Sequence, residues 1–263
     1  MECNDILRKN LSNNEMLIGT HVSLSDSSVT EIFGEIGFDY VWIDMEHTAL
    51  SKELVKQHLL AARASGTAGF VRIPYNDPIL AKPILDIGAD GIVFPSVCSR
   101  EEAQKAINSC YYPPRGIRGF GPNRCAGYGL VEQADYCKLD GDQVFKVIQI
   151  EHISAVENLE SIVSVNGIDA IVIGPQDLSA SMGIIGEMEH PLLRKKIGSI
   201  VRTCKEAKVF VGVSCGSNES FINFMIDQGV NLISVDMDYS FILRGALEVK
   251  KMVETLKSNR SVL

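Results

Sequence analysis

Residues 144–177 read VFKVIQIEHISAVENLESIVSVNGIDAIVIGPQD. The stretch opens on an apolar, β-branched run ending in Gln149, Ile150 and Glu151, and closes on a second run, AIVIGP, with Asp177 just beyond it. Between them apolar residues recur at helical spacing, and Gly167 stands where a left-handed helix end is expected. Strands that are almost continuously apolar are buried on both faces, as parallel strands covered by helices must be. The stretch therefore predicts a strand, helix, parallel strand unit.

The same rhythm extends in both directions. LIGTHVS, YVWID, AGFVRIP and GIVFPSV precede this unit, and VFVGVSC and LISVDMD follow it, giving eight runs, each followed by a helical pattern such as SKELVKQHLLAARASG. Gly37, Gly66, Gly88 and Gly229 mark further helix ends. Eight such units in 263 residues predict one (β/α)8 TIM barrel spanning residues 1–263. A doubly wound open sheet usually carries a Gly-rich phosphate turn after its first strand, and here SLSDSSVTEIFGEIG follows it instead. One long irregular stretch, Tyr111 to Gly129, interrupts the alternation with paired prolines, repeated glycines and three arginines, and reads as a shaped functional loop.

Composition narrows the function classes. With 25 Lys and Arg against 33 Asp and Glu the net charge is −8, which speaks against a general nucleic-acid binder. At 46% hydrophobic and 22% charged residues the chain is of ordinary globular composition. No apolar run approaches the roughly 18 residues of a membrane span, and the N-terminus lacks a signal-like segment, so a cytoplasmic location is expected. Seven cysteines without a C-x-x-C pair predict reduced thiols rather than a disulfide framework or zinc knuckle.

In a barrel of this kind the chemistry lies at the C-terminal ends of the strands. Those ends carry His21, Asp44, His47, Arg72, Gln149, Glu151, Asp177, Ser214, Asp236 and Asp238. Glu151 and Asp177, from neighbouring strands, would repel unless a proton or cation lay between them, and oxygen ligands suit Mg2+ or Mn2+. The alternative is that Asp177 caps the next helix. Arg72 calls for a carboxylate partner, either a substrate's or, internally, that of Asp44 or Glu46. His47 follows Asp44 by three residues, a spacing that lets the carboxylate orient a general base. A Schiff-base mechanism would need a lysine on the inner strand surface or at its C-terminal end, yet the only strand lysine, Lys146, lies near the start of the fifth run. An enolate formed here would need a metal instead.

The segments VWIDMEHTALS, FVRIPYNDP, KPILDIGADGIVFP, YPPRGIRGFGP, VIQIEHISAVENL, GIDAIVIGPQDLSASMG and HPLL, in this order from about Gly19 to about Asp238, resemble the HpcH/HpaI family of class II, metal-dependent pyruvate aldolases. The resemblance implies a barrel whose last helix exchanges between subunits, dimers assembled into a homohexamer, and reversible cleavage of a 4-hydroxy-2-oxo acid to pyruvate and an aldehyde. It implies Glu151 and Asp177 as ligands of a divalent metal ion such as Mg2+, Mn2+ or Co2+. It also implies Arg72 on pyruvate and its enolate, Gln149 beside the pyruvate carboxylate, His47 as base through a metal-bound water, Asp44 orienting it and Asp86 in support. Arg124 resembles an arginine reaching into a neighbouring subunit's pocket to meet an anionic aldehyde.

The departures fall on the aldehyde side. His21 stands where the family often has an aromatic residue, Ser214 and Asn218 replace apolar residues after the seventh strand, and Asp236 occupies a common glycine position. These changes predict a polar or hydroxylated acceptor, with Ser214 among the substrate-binding residues. Two other readings remain: a related lyase or decarboxylase acting on oxaloacetate or a CoA thioester, and a sugar-acid-binding homologue without turnover.

Overall fold

The structure is a computed structural model and describes residues 3–138 and 141–260. The strands are β1 (Leu17–Val22), β2 (Tyr40–Asp44), β3 (Ala68–Arg72), β4 (Gly91–Phe94), β5 (Phe145–Ile150), β6 (Ala170–Ile173), β7 (Phe210–Cys215) and β8 (Leu232–Met237). They close into a barrel in sequence order, each parallel to the next and β8 parallel to β1, as the eight runs imply. Helix α1 (Cys3–Ser12) precedes the barrel, and α2 (Ser28–Ile36), α3 (Lys52–Ser65), α4 (Pro78–Asp86) and α5 (Arg100–Asn108) follow the first four strands in turn. The long β4–β5 connection contains a 3-10 segment, Arg124–Gly129, and α6 (Gln133–Lys138). Then come α7 (Ile153–Glu157) and α8 (Leu159–Val163), α9 (Pro175–Ser181) and α10 (Pro191–Glu206), α11 (Glu219–Gln228) and α12 (Asp238–Arg260). Among the described residues no helix is long and apolar enough to cross a membrane. The six cysteines with described side chains are free thiols, and the side chain of Cys3 lies outside the described residues.

The barrel interior is filled rather than hollow. Tyr40, Phe70 and Phe145 stack in sequence with ring centroids 5.1 and 5.3 Å apart, and Leu7 and Leu11 of α1 plug the layer from below. The missing side chains of Gly19 and Gly91 make room for these rings: a Cβ there would stand 2.3 Å from Tyr40 and 2.4 Å from Phe70. Val, Ile and Leu on the outer strand faces pack against the helices in the larger core.

The N-terminal ends of the strands, the foot of the barrel, use one device four times. Gly37-Phe38-Asp39, Gly88-Ala89-Asp90, Gly167-Ile168-Asp169 and Gly229-Val230-Asn231 each lead into an even-numbered strand, and all four glycines have positive φ. The Asp or Asn side chain then accepts the backbone N–H of Ile18, Gly69, Lys146 or Val211 on the preceding odd strand, at 2.8, 2.9, 2.8 and 3.0 Å. Each bond satisfies an amide at a strand start and fixes the two chains relative to each other.

Helix α12 leaves the barrel instead of covering it. Asp238 at its start is fully buried and accepts the amides of Ser23 and Leu24 at 2.7 and 2.8 Å, tying the helix to the β1–α2 loop. Beyond this tether Ile242, Leu243, Leu247, Val249, Met252 and Leu256 are all more than half exposed. Ile32 and Ile36 of α2 are also exposed.

Candidate active site

Asp44 ends β2 and Arg72 ends β3, and strand register sets them side by side. The guanidinium donates from Nε to Asp44 Oδ1 at 2.9 Å and from Nη2 to Oδ2 at 2.8 Å, and both side chains are about nine-tenths buried. Nη1 lies 3.0 Å from Glu46 Oε2, yet that oxygen has no hydrogen-bond partner. Nη1 and Glu46 thus form an ion pair without a well-aligned hydrogen bond. Internal carboxylates therefore face both edges of the fork, and a substrate oxygen would share Nη1, which carries two N–H groups, with Glu46. Burial pushes the Asp44 carboxyl up, but the Arg72 hydrogen bonds and charge, with the Glu46 amide at 2.9 Å, outweigh it and hold Asp44 below its ordinary range. For Glu46 burial prevails over Arg72, and its carboxyl is raised.

His47 is exposed, with Nε2 3.7 Å from Glu46 Oε2. In this structure the Asp44 oxygens are engaged by Arg72 and the Glu46 amide, and Glu46 rather than Asp44 is the carboxylate beside His47.

The next strands supply the carboxylates. Glu151 follows β5; its Oε1 accepts the Ser96 amide at 2.7 Å, and its Oε2 accepts from Gln149 Nε2. Gln149 Oε1 is buried without a partner. Gly174 lies against this group, where a Cβ would stand 3.0 Å from Glu151 Cβ and 3.2 Å from its Oε2. The N-cap of α9 is Gly174, so Asp177 is not a cap; it sits exposed in the first helical turn. Glu151 and, in the first turn of α9, Asp177 offer hard oxygen donors, and Gln149 Oε1 is an orphaned acceptor beside Glu151, although among the described residues no three His, Cys, Asp or Glu side chains gather as a metal cluster. The residues present fit a divalent cation whose remaining positions are taken by water or substrate oxygen.

Across the rim, His21 Nε2 is 2.9 Å from Ser214 Oγ, and the imidazole lies 5.0 Å from the Trp42 ring. Burial, reinforced by the Arg72 charge, pushes the His21 pKa down to about 4. Asp236, in a left-handed conformation with φ 56°, pairs with Arg244 of α12 and accepts the Met237 amide at 2.9 Å.

Two expected site residues are elsewhere in the same chain. Asp86 is the last residue of α4, at the foot, where it pairs with Arg118 at 2.7 Å. Arg124 is also at the foot, donating from Nη1 to the carbonyls of Ile87 and Gly88 at 2.9 and 3.1 Å. These carbonyls end α4, and a guanidinium suits that negative helix end. Neither residue reaches the rim of its own barrel. Lys146 is at the foot too, with Nζ on the Gly141 and Val144 carbonyls and 3.1 Å from Asp169, consistent with the absence of an imine-forming lysine from the fifth strand's rim. Sequence reasoning missed Ser96 and Gly174 as supports of Glu151, and Arg244 as partner of Asp236. Glu46 had entered only as a partner for Arg72, although it directly precedes His47.

Comparison with known proteins gives a consistent picture. The family model described as HpcH/HpaI aldolase/citrate lyase matches residues 17–240. The chain is 32% identical over 238 residues to hydroxypyruvate/pyruvate aldolase of Roseobacter denitrificans, covering 90% of this chain and 92% of that one. It is 34% identical over 229 residues to 4-hydroxy-2-oxo-heptane-1,7-dioate aldolase of Salmonella paratyphi A, covering 87% of each. Among solved structures, an HpcH/HpaI aldolase from Desulfitobacterium hafniense superposes with a TM-score of 0.88 at 30% identity, covering 94% of this chain and 96% of that one.

Proposed function

Because the chain belongs to the HpcH/HpaI aldolase/citrate lyase family and is an enzyme of its class II pyruvate aldolase type, a lyase, we propose that it reversibly cleaves a 4-hydroxy-2-oxo acid to pyruvate and an aldehyde. The observation that carries this reading is Arg72, held at the end of β3 by Asp44, on the same rim as Glu151 after β5 and Asp177 after β6. The family is metal-dependent, and we assign the cation to Glu151 and Asp177, with Mg2+, Mn2+ and Co2+ as candidates. When bound, that cation supplies Lewis-acid stabilisation of the charge on the 2-oxo group.

The chain's own residues do the rest. Asp44 fixes the Arg72 fork, so Nη1 can donate to a substrate oxygen without the guanidinium reorienting. Its donation strengthens as negative charge grows on the keto oxygen during cleavage. Gln149 Oε1, an acceptor without a partner, borders the pyruvate side. His47 takes the proton of the 4-hydroxyl as the carbon–carbon bond breaks, and in the reverse direction returns it to the aldehyde oxygen. The exposed apolar face of α12 supports exchange of this helix between copies in a homohexamer. Only in such an assembly could Asp86 and Arg124 approach a rim, that of a neighbour.

The test is deuterium exchange into the pyruvate methyl group, followed by NMR in D2O with chelated protein and after addition of Mg2+, Mn2+ or Co2+. Metal-dependent exchange is expected. Binding of pyruvate with no exchange under any of these metals would overturn the aldolase reading in favour of a binding protein.

A further inference from the structure

Glu151 is held by three neighbouring strand ends, whereas the second carboxylate assigned to the cation is not held at all. From β5, Gln149 Nε2 donates to its Oε2. From the end of β6 the bare backbone of Gly174 closes against it, where a Cβ would stand 3.0 Å from Glu151 Cβ and 3.2 Å from Oε2. From beyond β4 the Ser96 amide donates to Oε1 at 2.7 Å. Asp177 is exposed, and among the described residues its carboxylate makes no hydrogen bond or ion pair.

Local chain chemistry explains why the contact from β4 comes from the main chain of Ser96. Pro95 follows the strand and has no N–H, so the first amide beyond β4 able to donate belongs to Ser96. Ser96 takes a left-handed backbone with φ 56°, a conformation that residues with a side chain occupy sparsely and that persists where the surroundings fix it. Those surroundings are present: Val97 is buried, the Cys98 amide donates to Glu102 Oε2 at 2.6 Å, and the Cys98 carbonyl accepts from Asn158 Nδ2 at 2.9 Å. The Ser96 hydroxyl lies 3.4 Å from the same Glu151 oxygen, outside the roughly 2.5–3.0 Å of a good O–H···O bond. The amide therefore carries the contact, and the side chain contributes little.

We propose that Ser96 is a positioning residue for the cation site: its backbone N–H, presented by the left-handed turn after Pro95, fixes the Glu151 carboxylate as a preformed half of the site, which the free carboxylate of Asp177 completes. This rests on the assignment of the cation to Glu151 and Asp177 above. A carboxylate already oriented loses less freedom when it binds, and contacts that orient a metal ligand are typically worth about 10–100-fold in metal affinity.

The test is the Mn2+ affinity of the chelated protein, titrated through the EPR signal of free Mn2+, which needs no turnover. Replacing the Pro95–Ser96 amide by an ester removes only the N–H and should weaken Mn2+ binding by at least about tenfold. Ser96→Val, whose branched side chain disfavours positive φ, should weaken it likewise. Ser96→Gly discards the hydroxyl but keeps the N–H in a backbone glycine adopts freely, so its affinity should stay within about threefold of the unmodified protein. Tight binding by the ester variant overturns the proposal, as does loss of binding in folded Ser96→Gly, and both arms stand even if Ser96→Val does not fold. Glu151→Gln separates the two levels: Mn2+ binding that survives this substitution removes the cation assignment itself, whereas binding lost in Glu151→Gln and unchanged in the ester variant removes only the role of Ser96.

Discussion

The rim and the foot of the barrel are both crowded with charged and amide side chains, and they differ in what engages those groups. At the foot, Asp169 takes Arg8, the Lys146 amide and the Lys146 ammonium, Lys146 also has two carbonyls, and Arg118 pairs with Asp86. At the rim, Arg72 bridges Asp44 and Glu46, and Gln149 Oε1 is buried without a hydrogen-bond partner. A buried polar atom left unsatisfied costs about 1–3 kcal/mol. Orphaned atoms also occur at the foot, at Arg118 Nε and Asn4 Oδ1, so they do not by themselves mark the reactive end; the rim is marked by carboxylates, an arginine and an amide gathered at the C-terminal strand ends, whereas the foot's charges are spent on strand amides, carbonyls and one another.

The largest test of that contrast is Glu151→Gln. The substitution keeps shape but removes one of two carboxylates available to a cation. Loss of several kcal/mol of charge stabilisation translates to about 10³-fold slower metal-dependent pyruvate exchange, with an unchanged circular dichroism spectrum. Exchange within tenfold of the unmodified enzyme would move the cation site elsewhere.

Lys146→Met reverses the pattern at the foot. It leaves two carbonyls without their donor and removes a buried cation from Asp169. About 3 kcal/mol of stability should be lost, read by chemical denaturation, with pyruvate exchange per folded molecule unchanged. A variant that stays stable but loses exchange would bring the two ends into one functional unit.

How far the sequence reveals each end depends on which chain segment carries the residue. The strands are legible because burial on both faces forces long apolar runs, and strand ends point to Arg72, Gln149 and Glu151 directly. The Gly-x-Asp/Asn repeat at the foot is equally present in the sequence, but its meaning requires knowing that Asp39 and Ile18 lie on neighbouring strands. Asp44 and His47 show the opposite case. A separation of three residues places side chains together on a helix, whereas residues 45–48 bend away from the strand, and strand register brings Arg72 to Asp44 first. Asp86 and Arg124 are carried by a helix end and a long loop, where resemblance names a residue without locating it. Ser96 was illegible for another reason: its amide reaches Glu151 with the residue in a left-handed conformation, φ 56°, which an ordinary serine does not announce.

His21 provides an intermediate test on the rim. Its folded pKa, about 4, lies below the ordinary 6.5, so the unfolded chain takes up a proton first as pH falls. The stability associated with neutral His21 is present above pH 6.5 and is lost as pH falls from there towards 4. His21→Gln should shrink the acid-induced loss between pH 7 and pH 4.5 by about 2 kcal/mol in chemical denaturation. Burial also pushes His58 down, so part of the slope should survive. An unchanged slope would mean that His21 is not held neutral by burial.

The smallest effect belongs to Arg115→Ala, on the surface of the long β4–β5 connection. Arg115 makes a two-pronged pair with Asp142, at 2.9 and 3.0 Å, and its guanidinium lies 4.2 Å over the Tyr111 ring. The arginine holds the Asp142 carboxyl below its ordinary range against a weaker effect of burial, but both side chains are about half exposed and solvent screens the pair. A loss of about 0.5–1 kcal/mol is expected, and it should shrink in 1 M NaCl, where the screening length falls to about 3 Å. The Lys146→Met deficit should persist at that salt concentration, because its partners are shielded from solvent. If the Arg115→Ala deficit were instead several kcal/mol and indifferent to salt, the strong pairing at the foot would extend to its exposed loop, and burial would no longer separate the stabilising pairs from the dispensable ones.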